Sequence, residues 1–331
     1  MLVELATIQA VSYIMGSLEV SVAAIYYVMN IQNNIWNQDL MLKAKQRVLK
    51  NRQQTCLSLI RPKFNQGCEG LLESRSIRRM IDMLLIQISD VHCGPMFCEE
   101  SLRTAIKEIN EMSPDVVLVT GDLTENGLMA EFETASKELA AIEAGKVIYL
   151  SGNHDFRSTG YLLFREFFPF HQETQIGGAS ITVLSSARPD RDDGEVGYRQ
   201  NIWLEKTLKG HEGKTKIVAI HHHVVPVPDT GADQITVIDA GDVLRSLVKS
   251  KVDLVLCGHR HRPWMWKIED MLVVHAGSVS CQKLRGFFCN SYNVIMVERG
   301  GIDARLKIVG GGYVEFGEIV KRREIIRASD I

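Results

Sequence analysis

A chain of 331 residues with 38 basic and 40 acidic side chains, a formal net charge of −2 and 45% hydrophobic residues suits one domain of about 200–250 residues with extensions. That charge balance argues against a nucleic-acid polymer held by bulk electrostatics. The seven cysteines include no CxxC pair, which argues against a disulfide framework and a structural thiolate zinc site and favours a reducing compartment.

Between Leu5 and Ile31 the only charged residue is Glu19. Its Ile, Val and Leu residues contribute about −4 kcal/mol to insertion, against roughly +3 kcal/mol for one central acid. A single transmembrane helix within residues 1–34 is therefore expected. Glu4 is the one charge before it, whereas Lys43, Lys45, Arg47, Lys50 and Arg52 follow, so the remainder is expected on the cytoplasmic side. A partner-bound helix on a soluble cytoplasmic protein is the alternative. No basic n-region or small-residue cleavage site marks a signal peptide. Trp36, Leu40, Ala44 and Val48 recur four apart among basic residues, the pattern of a basic amphipathic helix near anionic headgroups. A linker around Arg61–Gly67 completes residues 35–82.

From Leu84 strands and helices alternate. Strands are predicted at Leu84–Ser89, Val116–Thr120, Val147–Leu150, Ile181–Leu184, Lys216–Ile220 and Leu254–Cys257. Helices are predicted at Glu99–Met112, Leu128–Glu143, Tyr161–Phe168 and Asp239–Val248. After Trp264 the pattern turns strand-rich: Met265–Ile268, Met271–His275, Asn293–Glu298 and Ile302–Ile308. This predicts a sheet sandwich flanked by helices over 83–310, with a tail at 311–331.

Five of these strands end in residues that bind metal or carry protons: Asp90 and His92; Asp122; Asn153 and His154; His221; His259 and His261. In open α/β sheets, sites form at the carboxyl ends of strands, so these ends can share one cleft. Aspartates, an asparagine and imidazoles make a mixed oxygen and nitrogen set, suited to Mn, Fe or Zn rather than Ca or Mg. Each piece alone has a plainer reading, as a helix cap, a turn or a structural histidine. Five coincidences in order are harder to sustain.

The stretches Asp90-Val91-His92, Gly121-Asp122, Gly152-Asn153-His154-Asp155, His221 and Gly258-His259-Arg260-His261 resemble the signature of the calcineurin-like metallophosphoesterases. The likeness is greatest to the class III cyclic-nucleotide phosphodiesterases. It implies a four-layer αββα sandwich and a centre of two divalent transition-metal ions. Carried over by residue, Asp90, His92 and His261 would hold the first ion. Asn153, His221 and His259 would hold the second, with Asp122 bridging. A metal-bridging hydroxide would attack phosphorus in line. His154 would act as proton donor to the leaving oxygen, with Asp155 orienting its ring. A small phosphoester is the expected substrate. Phosphomonoesterase or nucleotide or lipid pyrophosphatase activity, and an inactive membrane-attached scaffold, are the other readings.

Alternation along an extended run makes His223 the rival of His221 as ligand. His222 faces substrate or only a turn, and Arg260 either contacts phosphate or stays solvated. The charged loop Arg188–Glu195 either frames substrate or is a solvated turn. Trp264 and Trp266 are expected in the core. Cys93 is expected to be buried, and His171, His211 and His275 structural or exposed. Oligomerisation is left open.

Overall fold

The computed structural model describes residues 82–231, 237–285, 287, 289–298 and 301–321. The apolar segment at 5–31, the basic helix and the linker lie outside the described residues. Among those described, no helix is long and apolar enough to cross a membrane.

Three parallel strands start the fold: β1 (Met83–Ile88), β2 (Val116–Thr120) and β3 (Lys146–Leu150). The connecting helices are α1 (Glu99–Met112) and α2 (Met129–Leu139). A second parallel set is β5 (Ala179–Leu184), β6 (Thr215–Ile220), β7 (Leu254–Cys257) and β9 (Met271–His275). Antiparallel strands complete each sheet. β10 (Ser291–Glu298), β11 (Gly301–Ile308) and β12 (Tyr313–Glu315) extend the first, giving the order β12-β11-β10-β1-β2-β3. β4 (Glu173–Ile176) and β8 (Trp264–Ile268) edge the second, giving β4-β5-β6-β7-β9-β8.

The period-2 alternation of a strand decides which layer each side chain joins. Leu85, Val116 and Leu118 pack with Ile181, Val183, Ile217 and Leu256 between the sheets. Leu84, Ile86, Val117 and Val119 point the other way, onto Leu102, Ile106 and Ile109 of α1 and Phe132 of α2. On the far side, Val218, Ile220 and Val255 meet Leu204 and Leu208 of α4 (Tyr198–Lys209) and Val243 and Leu247 of α5 (Ala240–Lys249). α3 (Gly160–Phe167) contributes Phe164 to the first helical layer. Strands covered on both faces read as continuous apolar runs, and MLLIQI of β1 is buried throughout. Each such aliphatic side chain contributes about 1.5–3 kcal/mol by its burial.

Two differences from the sequence reading have physical causes. The sequence assigns nothing to Tyr198–Lys209, because the start of α4 carries no capping residue of its own. Gly197 stands at the cap with φ 79°, and Asp239, distant in sequence, accepts from Val196 N at 3.0 Å and Gly197 N at 2.7 Å. Residues 313–321, read from sequence as tail, add β12 and α6 (Phe316–Lys321), with Phe316 and Ile319 buried between the sheets.

One polar residue of β1 ties the sheets together. Gln87 Nε2 donates to Thr120 Oγ1 at 3.1 Å and to Cys257 O at 3.0 Å, while its Oε1 accepts from Asn293 Nδ2 at 2.8 Å. All of these partners are buried. Gln87→Met is therefore expected to cost about 2–4 kcal/mol, since it strands buried donors and acceptors. Urea denaturation measures this, and a loss below about 0.5 kcal/mol would show that the latch carries no weight.

Candidate metal centre

The carboxyl ends of β1, β2, β3, β6 and β7 open into one cleft and deliver Asp90, His92, Asp122, Asn153, His154, His221, His259 and His261. All of these are at most 8% exposed. Five of them hold the left-handed backbone that side-chain-bearing residues avoid: Asp90, His92, Asp122, His259 and His261, with φ between 53° and 76°. Strain concentrated in this way marks functional loops. Gly152 has a different reason for being glycine: a Cβ there would lie 2.1 Å from Asp122 Oδ1.

Three imidazoles are oriented by what their Nδ1 atoms touch. His92 Nδ1 donates to Glu125 Oε2 at 2.7 Å, His221 Nδ1 donates to Thr120 O at 2.7 Å, and His261 Nδ1 donates to Lys283 O. Carbonyls and carboxylates accept only, so these nitrogens carry the hydrogens. Their Nε2 atoms then all turn inward. The Nε2 atoms of His92 and His261 face each other at 2.9 Å. Asp90 Oδ1 lies 3.3 Å from His261 Nε2. Asp122 Oδ2 lies 3.5 Å from His92 Nε2 and 3.3 Å from His221 Nε2. Asn153 Oδ1 is 3.2 Å from His221 Nε2 and 3.0 Å from His259 Nδ1, and His259 Nε2 is a buried atom with no partner. With neither protons nor cations between them, ring nitrogens and carboxylate oxygens packed this closely repel one another in a buried cleft. Cations among them convert each contact into a ligand bond, so the donor set fits divalent ions of the transition series. Asp90, His92, Asp122 and His261 form one such group, and Asp122, His221 and His259 a second.

The same crowding moves the titrations. Burial alone favours neutral rings, but the Asp122 carboxylate outweighs it at His221, lifting it to about 9. Asp90 does the same to His261, which rises to about 10. His259 is pulled well below the usual range by burial and by His222 beside it. Burial works against ionisation of Asp122, yet His221, His154 and His92 hold it well below the ordinary carboxylate value.

Around this centre the histidines separate by role. His154 Nδ1 donates to Glu125 O at 2.7 Å, and Glu125 Oε1 is 3.6 Å away. The Asp155 carboxylate is engaged elsewhere: it accepts from Thr124 N at 2.8 Å, Thr124 Oγ1 at 2.9 Å and Gly152 N at 2.9 Å. Its contacts clip the β2 and β3 loops together, and the His154 ring is oriented by Glu125 instead. Burial, then Asp122, pushes the Asp155 carboxyl up to about 7. His222 is gripped by Ser186 Oγ at 2.8 Å and donates from Nε2 to Asp192 O at 3.2 Å. His223 stacks on His259, the ring centroids 5.5 Å apart. Arg260 is buried and donates to Thr230 O at 2.7 Å, so it is no solvated loop tip. Cys93 and His275 are buried, His211 pairs with Glu173 at 2.8 Å, and Trp264 lies in the inter-sheet core.

Two functional neighbours escape sequence reasoning. Glu125 follows Asp122 by three residues and supports both His92 and His154. Asp192, in the charged loop, accepts from Asn153 Nδ2 at 3.2 Å and from Arg157 Nη2 at 2.9 Å. Neither sits in a ligand motif. The clue available in the sequence is only that charged loops near strand ends are candidates for outer support.

The profile of the calcineurin-like phosphoesterase family matches residues 83–263, more than half of the chain. A probable cyclic nucleotide phosphodiesterase of Rhodococcus erythropolis is 29% identical over 197 residues, covering 54% of this chain and 64% of that protein. The 3',5'-cyclic adenosine monophosphate phosphodiesterase CpdA of Escherichia coli K12 is 26% identical over 191 residues, covering 54% of this chain and 69% of that one. Among solved structures, a dimetal phosphatase from Danio rerio superposes with a TM-score of 0.55 at 14% identity. That match covers 71% of this chain and 98% of the other, and it speaks for the fold alone.

Two outcomes follow from the geometry. Because His221 and His261 stay protonated up to about 9 and 10, a cation taken up at pH 7 must displace those protons. Metal titration at pH 7 should release at least two protons per chain, and fewer above pH 10, with affinity rising as pH rises. Calorimetry in buffers of different ionisation heat reads this, and no release at pH 7 would contradict the assignment. Glu125→Ala should weaken metal affinity about 10–100-fold by freeing the His92 ring; equilibrium dialysis showing an unchanged affinity would remove Glu125 from the site.

Proposed function

The chain belongs to the calcineurin-like phosphoesterase family, and we propose that it is a two-cation phosphodiesterase that opens a cyclic nucleotide. The observation that carries this reading is one oxygen: Asp122 Oδ2 is within 3.5 Å of Nε2 atoms belonging to two separate donor groups. The names of the relatives support the substrate class. In this reading Asp90, His92 and His261 would hold one ion and Asn153, His221 and His259 the other, with Asp122 available to both. Two divalent cations there would neutralise phosphate oxygens and lower the pKa of an attacking water. The chain's own part is to present the phosphate and handle the departing ester oxygen. His154, its Nδ1–H fixed on Glu125 O, donates from Nε2 to that oxygen when the ring is protonated. Asp155 is a positioning residue that keeps the loops of Asp122 and Asn153 in register. The burial of these side chains strengthens each of these interactions.

Full-length protein loaded with Mn, Fe or Zn should hydrolyse 3',5'-cyclic AMP. Asp122→Asn should lower turnover by more than about a hundredfold. His154→Gln should lower kcat by about 10²–10⁴, least for substrates with good leaving groups. Cleavage of monoesters with no turnover of cyclic nucleotides would move the substrate class to phosphomonoesters.

We further propose that residues 5–31 anchor the enzyme in a membrane with the catalytic domain on the cytoplasmic side. The support is their single charge and the basic flank that follows. The full-length chain should stay in the pellet after a carbonate wash; recovery in the supernatant would defeat the anchor.

A further inference from the structure

Cys281 stands outside the residues assigned above, yet it lies beside two histidines of the first half of the centre. It is fully buried, and its Sγ and one ring nitrogen each of His92 and His261 all lie within 4.8 Å of one another. The chain holds it there from several sides. Ser278 Oγ donates to Asp90 O at 2.7 Å, Ser280 Oγ donates to Val91 O at 3.0 Å, and Val279 N donates to Ser89 O at 3.0 Å. Residues 278–280 are thereby fastened to the loop that carries Asp90 and His92. Cys281 N then donates to Ser278 Oγ at 2.7 Å, and Cys281 O accepts from Asn290 Nδ2 at 3.0 Å. Lys283 orients two donors at once: its backbone N–H points at Cys281 Sγ at 3.3 Å, and its carbonyl takes the Nδ1–H of His261. An N–H directed at sulfur is a common outer-shell support for a metal-bound thiolate. Cys93, although next to His92 in sequence, points into the helix-facing core.

We propose that Cys281 is a sulfur ligand to a cation held with His92 and His261. One half of the centre is then a mixed oxygen, nitrogen and sulfur site, while the other uses oxygen and nitrogen alone. Thiolate is the softest donor available, so this half selects Zn²⁺ or Fe²⁺ over Mn²⁺ and Mg²⁺. The thiol gives up its proton to solvent as the metal–sulfur bond forms. This rests on the two-cation reading above, and the experiment separates the two.

Full-length protein is loaded with Co²⁺ without oxygen, its cobalt content is measured by elemental analysis, and its absorption spectrum is recorded. Two cobalt ions per chain uphold the two-cation reading by themselves. The sulfur ligand adds a near-ultraviolet sulfur-to-cobalt charge-transfer band, expected in the parent and in Cys93→Ser and lost in Cys281→Ser and Cys281→Ala. The preference for Zn²⁺ over Mn²⁺ should fall about 10–100-fold in the Cys281 variants. Two bound cobalt ions with no charge-transfer band in the parent would overturn the proposal while leaving the centre standing. A band that survives Cys281→Ser would overturn it equally. Fewer than two cobalt ions per chain would remove both readings. Should either Cys281 variant fail to fold, the parent spectrum alone decides.

Discussion

The organising constraint is electrostatic: a buried cleft into which ring nitrogens and carboxylate oxygens all point. Such an array is self-repelling, and protons on His221 and His261 relieve it only in part. Everything nearby serves to hold it against that repulsion. The outward ring nitrogens of His92, His221 and His261 are each tied to an acceptor, so the rings cannot turn away. Buried groups of this kind are destabilising unless compensated, which is why the site is also where the fold must be stiffest.

That stiffness comes from the two sheets. Parallel strands buried on both faces set where each loop begins, and the Gln87 latch fixes β1 and β2 against β7. The loops then bend immediately, through left-handed residues costing of order 1–3 kcal/mol apiece. Asp90 and His92 both take that conformation, with hydrogen bonds from Asp90 N to Gly121 O at 3.0 Å and from His92 N to Asp122 O at 2.9 Å bracing the turn. The core supplies the stability, and the site consumes some of it.

Much of this is legible in the sequence, because the ligand motifs lie immediately after apolar runs and a strand end is easy to see. The candidate donors stand out as polar residues at strand ends; their orientation does not, since it depends on partners remote in sequence, such as Lys283 for His261. The choice between His221 and His223 shows why. Side-chain alternation assumes the strand continues, but β6 ends at Ile220 and the chain turns, with His221 O accepting from Gly258 N at 2.9 Å. His221 therefore meets Asp122 while His223 backs His259. Helix α4 stayed hidden for a related reason, its capping carboxylate belonging to Asp239. The contacts of Asp155 likewise come from Thr124, across two loops.

The link from Asp192 to Asn153 decides which end of a buried amide faces the histidines. An amide has an accepting end and a donating end of nearly equal size, and only its outer partner says which faces inward. Asp192, braced by Arg157 and carried on a surface loop, takes the donating end. Asp192 thus fixes the polarity of a buried amide, holding its oxygen toward His221 and His259.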